Sequence, residues 1–114
     1  MSDLIELRDC MRKFTEERDW GQFHDPKSLI LALVGEVGEL AELFQWLPAD
    51  EAAAQAFEEP LKTRVSEELA DVLIYLVRFA DVLGCDLAEA ARVKLEAAQL
   101  RFPPSDVRGV APLK

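Results

Sequence analysis

Two pairs of acidic residues interrupt the two most apolar helical segments of this 114-residue chain. The first pair is Glu36 with Glu39, and the second is Glu68 with Asp71. An α-helix turns by about 100° per residue, so the direction of each side chain follows from its position. Glu36 then shares its face with Leu29, Leu33, Leu40 and Leu43. Glu68 shares its face with Leu61, Val65, Val72, Tyr75 and Phe79. Both pairs are therefore expected to face a core.

Ionised carboxylates in a low-dielectric core need a cation, a proton or a metal ion as partner. Arg64 lies one turn before Glu68, and Arg78 lies near the angular position of Asp71, so each could pair with one acid. Two guanidinium groups cannot neutralise four converging carboxylates, whereas a hard divalent cation suits an all-oxygen set. The pattern favours a metal site, with an ion-paired core as the alternative.

The composition indicates one helical domain, because half of the residues are hydrophobic and helix-forming Leu, Ala and Glu dominate over five glycines. The net charge is −9, which argues against nucleic acid or an anionic membrane as partner. Neither an export signal nor a run of about 20 apolar residues is found, so we expect a cytoplasmic protein. Cys10 and Cys85 are expected to be buried free thiols.

The apolar periodicity and the boundary residues predict four main helices, over residues 2 to 18, 26 to about 46 or 47, 61 to 83, and 87 to 101. Residues 49 to 60 would connect the second helix to the third and have room for a short helix. With these two helices antiparallel, the acid pairs would face each other. The exposed apolar faces favour self-association into an oligomer.

Two segments carry a family resemblance, LALVGEVGELAELFQW at residues 31–46 and EELADVLIYL at residues 67–76. They resemble the MazG-like nucleotide pyrophosphohydrolases and are most similar to the dCTP pyrophosphatase branch. The upstream segments ERDW at residues 17–20 and QFH at residues 22–24 also match. We therefore expect one MazG-like domain over residues 1–103, followed by an irregular tail over residues 104–114.

The resemblance implies an all-α, four-helix MazG-like bundle that assembles as a homo-oligomer, commonly a tetramer and at least a dimer. It implies cleavage of a nucleoside triphosphate between the α and β phosphates. The expected substrate is dCTP or a 5-modified dCTP. The products would be the monophosphate and pyrophosphate, and the role would be cleansing of the nucleotide pool. The catalytic residues would bind Mg2+, and they are Glu36, Glu39, Glu68 and Asp71. Either Glu42 or Glu67, which flank the pairs, could orient or deprotonate the attacking water, or could simply be solvated.

The resemblance also implies a set of substrate-binding residues. For the nucleoside they are Trp20, Gln22, Phe23, His24, Trp46 and Tyr75, and for the phosphates they are Lys94 and Arg101. Three positions depart from the family pattern, namely Met11, Ala98 and Phe102, so the base and sugar preference stays open. The alternative from another class is a non-enzymatic helical interaction module whose acids form ion pairs across an oligomer interface.

Overall fold

The computed structural model describes residues 3–111, and within that range the regular structure is entirely helical. The α-helices there are α1 (Asp3–Glu17), α2 (Pro26–Glu42), α3 (Ala52–Ala56), α4 (Leu61–Val82), α5 (Leu87–Arg101) and α6 (Pro104–Val107). One 3₁₀ turn, Gly21–Phe23, lies between α1 and α2. The all-α fold class is therefore confirmed, and the four longer helices correspond to the four that the sequence predicts.

The starts of α2 and α5 are set by aspartate caps, as the sequence indicates. The side chain of Asp25 accepts a hydrogen bond from the backbone N–H of Ser28 at 2.9 Å. The side chain of Asp86 accepts one from the backbone N–H of Glu89 at 3.1 Å. These bonds satisfy N–H groups that have no partner within the first turn of a helix. Local sequence therefore fixes where both helices begin.

The end of α2 differs from the expected one. The helix ends at Glu42 and does not continue to Trp46 or Leu47. Beyond Glu42, the backbone N–H groups of Leu43 and Phe44 bond to carbonyls three residues earlier, at 3.2 and 3.0 Å. Such three-residue bonds tighten the backbone into turns. The apolar residues of this stretch keep a helix-like spacing, and for that reason the predicted helix was too long.

The C-terminal region also differs in part. Residues Pro104–Val107 form one helical turn, so the prediction of an irregular tail from residue 104 was wrong at this point. Proline fits the first position of a helix because its missing N–H would have no partner there. Residues 112–114 of the tail, and residue Ser2 where the first helix was expected to begin, lie outside the described residues.

Helix α4 is the centre of the fold, and α2, α1 and α3 pack against it. The most fully buried hydrophobic side chains among residues 3–111 are Leu29 of α2 and Val77 and Ala80 of α4. Thr15 of α1, which carries a hydroxyl group, is also buried. The interior that one chain forms is therefore narrow, and it lies along the contact of α4 with α1 and α2.

Several apolar side chains remain exposed on the other faces. Leu31 and Val34 of α2 are each 61% exposed. Cys10 and Cys85 are exposed, so the expectation of buried thiols was wrong. Between residues 3 and 111, no helix combines the length and apolar character needed to cross a bilayer.

An ion pair joins the exposed side chain of Arg12 on α1 to Asp81 on α4. The guanidinium of Arg12 donates from Nε to Oδ2 of Asp81 at 2.8 Å, and a second bond joins Nη2 to Oδ1. Nη1 of Arg78 donates to the same Oδ2 at 3.3 Å. The side chain of Asp81 is 8% exposed, so little water competes for it. The hydrogen bond from Arg12 lowers the pKa of Asp81, and the charges of Arg12 and Arg78 lower it further.

Replacing Asp81 by asparagine is expected to lower the free energy of unfolding by about 2 kcal/mol at neutral pH. A carboxylate with a lowered pKa stabilises the fold above the unfolded-state value, near 3.8, and loses that contribution as the pH falls through the folded value. The difference between Asp81→Asn and the parent should therefore shrink in acid. Urea unfolding at pH values above and below 3.8 measures it, with the exposed Asp50→Asn as control. A difference that is the same at both pH values would contradict the ion-pair explanation.

Candidate functional site

The two acid pairs meet where the second half of α2 packs against the middle of α4. One carboxylate oxygen each of Glu36, Glu39 and Glu68 lies within 4.8 Å of the others. Asp71, one turn after Glu68, lies outside this group of three, but its charge helps to raise the pKa of both Glu36 and Glu68. We call Glu36, Glu39, Glu68 and Asp71 the acid cluster.

The first member of each pair points inward. Glu36 and Glu68 are partly buried, whereas Glu39 and Asp71 are exposed. The expectation that both pairs face a core was therefore right for the first members and wrong for the second. Three residues along a helix rotate a side chain by about 300°, which places the second acid at the edge of the inward face.

The buried carboxylates of Glu36 and Glu68 have no partner within residues 3–111 that compensates for their loss of water. Oε2 of Glu36 and Oε2 of Glu68 are buried and have no hydrogen-bond partner among the described residues. Burial raises the pKa of both side chains, and the negative charge of Glu39 raises them further. Unpartnered buried carboxylate oxygens are costly, and an oxygen-liganded divalent cation is the partner that such a set fits. The donor set of the acid cluster thus fits a metal ion.

The two arginines proposed as partners do not neutralise the acid cluster. Among residues 3–111, no Lys or Arg side chain forms an ion pair within 4.0 Å of any of the four acids. Arg64 lines a cleft together with Glu39 and Glu68. Its positive charge lowers the pKa of Glu68, but burial and the charges of Glu39 and Asp71 raise that pKa by more. Arg78 binds Asp81 and His24 instead of Asp71. An ion-paired core is therefore not formed within these residues of one chain.

A cavity of about 340 Å³ lies between α1, α4 and the loop before α2. Of the residues expected to bind the nucleoside, it contains Trp20, His24 and Tyr75. The remaining lining residues are Leu7, Cys10, Met11, Phe14, Thr15, Ile74 and Arg78. Phe14 and Trp20 are in edge-to-face contact, with ring centroids 5.6 Å apart and planes at 73°. We call this space the aromatic cavity.

The acid cluster and the aromatic cavity share one face of α4. Glu68, Asp71, Tyr75 and Arg78 follow one another at steps of three or four residues, which places them side by side along a helix. The two acids are nearer the start of α4, and Tyr75 and Arg78 are nearer its end. A ligand along this face could reach the carboxylates with one end and the aromatic rings with the other.

Five predicted substrate residues lie outside the aromatic cavity. Gln22 and Phe23 belong to the 3₁₀ turn just before His24, and the side chain of Gln22 donates to the carbonyl of Asp19 at 2.9 Å. Trp46, in the turn after α2, is 87% exposed. Lys94 and Arg101 lie on α5, outside both the cleft and the cavity. Their roles stay predictions.

The lining residues of the aromatic cavity that the sequence did not indicate as site residues include Phe14 and Arg78. The spacing of Leu7, Met11 and Phe14 indicated a helix face that packs into the core. In the structure, these three side chains line the aromatic cavity. The bond from Arg78 to His24 spans 54 residues of sequence, so no local pattern could have indicated it.

Comparison with known proteins indicates the family to which this chain is similar. The model of the MazG-like family matches residues 32–104. The chain is 47% identical over 108 residues to dCTP pyrophosphatase 1 of Bos taurus, covering 95% of this chain and 64% of that protein. It is 47% identical over 100 residues to dCTP pyrophosphatase 1 of Homo sapiens, covering 88% and 59%. The chain thus spans less than two thirds of the length of these curated relatives.

A solved structure shows the same fold. The crystal structure of a pyrophosphatase from Archaeoglobus fulgidus superposes with a TM-score of 0.82 at 37% identity, covering 90% of this chain and 94% of the other. The family match extends over more than half of the chain and includes all of the acid cluster. This chain belongs to the MazG-like family.

Proposed function

We propose that this protein is a Mg2+-dependent nucleoside triphosphate pyrophosphohydrolase. It cleaves dCTP or a 5-modified dCTP between the α and β phosphates, which gives the monophosphate and pyrophosphate and cleanses the nucleotide pool. The observation that carries this proposal is the pair of unpartnered buried carboxylate oxygens, on Glu36 and Glu68, beside an aromatic cavity. The names of the similar proteins, dCTP pyrophosphatase 1 and a pyrophosphatase, support the same reaction class.

The acid cluster supplies the metal ligands in this proposal. Glu36, Glu39 and Glu68 would hold Mg2+, and Asp71 would complete the set from the exposed edge. Bound Mg2+ neutralises phosphate oxygens and lowers the pKa of a coordinated water. Without a cation, four carboxylates would repel a triphosphate.

The aromatic cavity would bind the nucleoside. Trp20 and Tyr75 offer ring faces for stacking, and His24 offers a hydrogen bond to a polar atom of the base or sugar. The cavity is mainly apolar and has a few polar groups, as ligand sites generally do. Glu42 also lines the cleft of Glu39 and Glu68, so it is placed to orient a water there.

The reaction is tested by 31P NMR of the purified protein with separate deoxynucleoside triphosphates and 5-methyl-dCTP, with Mg2+ or with EDTA. We expect monophosphate and pyrophosphate to appear in the presence of Mg2+, fastest with a cytosine nucleotide. Orthophosphate as the product would contradict cleavage between the α and β phosphates. No turnover by the folded protein would favour the interaction module, in which the acids form ion pairs across an oligomer interface.

The proposed enzyme is a homo-oligomer. We expect a homotetramer, and at least a homodimer. Apolar side chains on two helices support this: besides Leu31 and Val34 of α2, Leu95 and Leu100 of α5 are 65% and 84% exposed. Large apolar side chains that are exposed in one chain are typical of an interface. Lys94 and Arg101 lie on α5 and away from the sites of their own chain, so in such an assembly they could approach a partner's substrate.

Sedimentation equilibrium of the protein should give about four times the 12.8 kDa mass of one chain. The Leu95→Asp substitution should shift the population toward smaller species, because it places a charge in an apolar contact. The substitution Gln55→Asp, at an exposed position on α3 and on a different helix from these apolar residues, is the control and should leave the mass unchanged. A wild-type protein that stays at 12.8 kDa at high concentration would contradict the assembly.

A further inference from the structure

A hydrogen bond from α4 fixes the histidine of the aromatic cavity. Nε of Arg78 donates to Nδ1 of His24 at 2.9 Å in a partly buried setting. His24 lies directly after the 3₁₀ turn, and its backbone N–H bonds to the carbonyl of Gly21 at 3.1 Å. The ring is thus held both by its own loop and by a helix that is distant in the sequence.

Arg78 is itself held in place from behind. The side chain of Arg78 is 13% exposed, and its Nη1 donates to Asp81, one turn further along α4. Asp81 in turn accepts the paired bonds from Arg12 of α1. Arg12, Asp81, Arg78 and His24 therefore form one chain of contacts between two helices and the loop. These contacts set the direction in which the Nε–H of Arg78 points.

The direction of that N–H decides where the imidazole proton lies. A guanidinium can only donate, so the atom that faces it must carry a lone pair. Nδ1 of His24 must then be unprotonated, and a neutral imidazole has its proton on the other nitrogen. Burial lowers the pKa of His24, and the positive charge of Arg78 lowers it further, so the neutral ring is favoured. Within residues 3–111, Arg78 is the only hydrogen-bond partner of this ring.

We propose that Arg78 is a positioning residue that holds His24 in the neutral form with its proton on Nε2, so that Nε2 presents a fixed hydrogen-bond donor to the nucleoside. The recognition part of this inference rests on the proposed function. A fixed donor selects ligands that carry an acceptor at that place, such as a carbonyl or ring nitrogen of a base or an oxygen of the sugar, and it disfavours ligands that carry a second donor there.

The proton position can be measured directly, because His24 is the only histidine of the chain. Long-range 1H–15N correlation spectra of protein labelled with 15N-histidine show which ring nitrogen carries hydrogen. At about pH 8, well above the ordinary histidine pKa, we expect one form with the proton on Nε2. A proton on Nδ1, or a mixture of the two neutral forms, would overturn the inference. This result requires neither a variant nor a substrate.

Substitution of Arg78 tests which residue fixes the ring. Arg78→Met removes the donor but leaves Asp81 paired with Arg12, so we expect a folded protein in which the two neutral forms of His24 are mixed. KM for the nucleotide should rise by roughly twofold with kcat little changed, because a ligand that needs the Nε2-protonated form binds only the fraction of the protein that carries it. Arg78→Lys keeps a cationic donor and should restore the Nε2-protonated form and much of the affinity.

Arg92→Met is the matched control, because Arg92 also pairs with acids one turn away on its own helix but is exposed on α5. It should leave the His24 spectrum and KM unchanged. If Arg78→Met kept the Nε2-protonated form, Arg78 would not be the positioning residue. Failure of the proposed function is a separate result: a wild-type protein with the expected spectrum that cleaves no nucleotide would overturn the nucleoside role of Nε2 and leave the proton assignment standing.

Discussion

Replacing Glu68 by glutamine is expected to reduce Mg2+-dependent cleavage of dCTP by about three orders of magnitude, since a lost metal ligand costs several kcal/mol of charge stabilisation. The fold should survive. Oε2 of Glu68 is buried without a partner, and the carboxylate also faces the charges of Glu39 and Asp71. An amide of nearly the same shape removes that repulsion. The unfolding free energy of the metal-free variant at neutral pH should therefore equal or exceed that of the parent.

Initial rates and urea unfolding of the same preparation measure the two effects together. Glu6→Gln is the control, because Glu6 is an exposed acid on α1 away from the acid cluster. It should retain both rate and stability. A Glu68→Gln variant that unfolds readily without metal would indicate that Glu68 has a cationic partner, and so would favour the ion-paired core over the metal site.

Adding Mg2+ to the metal-free protein is expected to raise its free energy of unfolding by about 2.7 kcal/mol at a concentration about 100-fold above Kd. For a chain of this size, the shift in Tm would be on the order of 10 °C. The physical reason is that the cation neutralises the inward oxygens of Glu36 and Glu68, which lack any other partner among residues 3–111. Differential scanning calorimetry with and without Mg2+ measures the shift.

The control for this experiment must separate binding from general screening. Sodium chloride at the same ionic strength should give a much smaller shift, because screening weakens the repulsion of exposed charges more than that of buried ones. Glu36→Gln should lose most of the Mg2+ effect, while Glu6→Gln should keep it. Equal shifts with sodium chloride and Mg2+ would mean that the acid cluster is not a specific cation site.

Local sequence signals predicted the parts of this fold that depend on neighbouring residues. The caps at Asp25 and Asp86 need only a side chain and an amide three residues away, and both form as expected. The angular position of Glu36 relative to Leu29 also needs nothing beyond the helix period, and both side chains do point inward. The inward acids of the candidate site were found by that same reasoning.

The remaining features depend on contacts between distant segments. The partner of Arg78 could not be identified from its helix position, because Asp71 and Asp81 are both on α4 and His24 arrives from another part of the chain. The end of α2 was misplaced because apolar spacing continues into the turn. Trp46 lies in that turn and is exposed. Local sequence does not indicate what the side chain of Trp46 contacts, so its contact with the nucleoside stays a prediction.

The narrow interior affects how long the protein would survive in a cell. Within residues 3–111, a single chain buries few large side chains besides Leu29 and Val77, while Leu31 and Leu100 stay open to water. If copies cover these surfaces for one another, folding free energy depends on chain concentration as well as on sequence. Newly made chains would then be vulnerable to proteases until they meet a copy, and the rate of synthesis would determine their half-life.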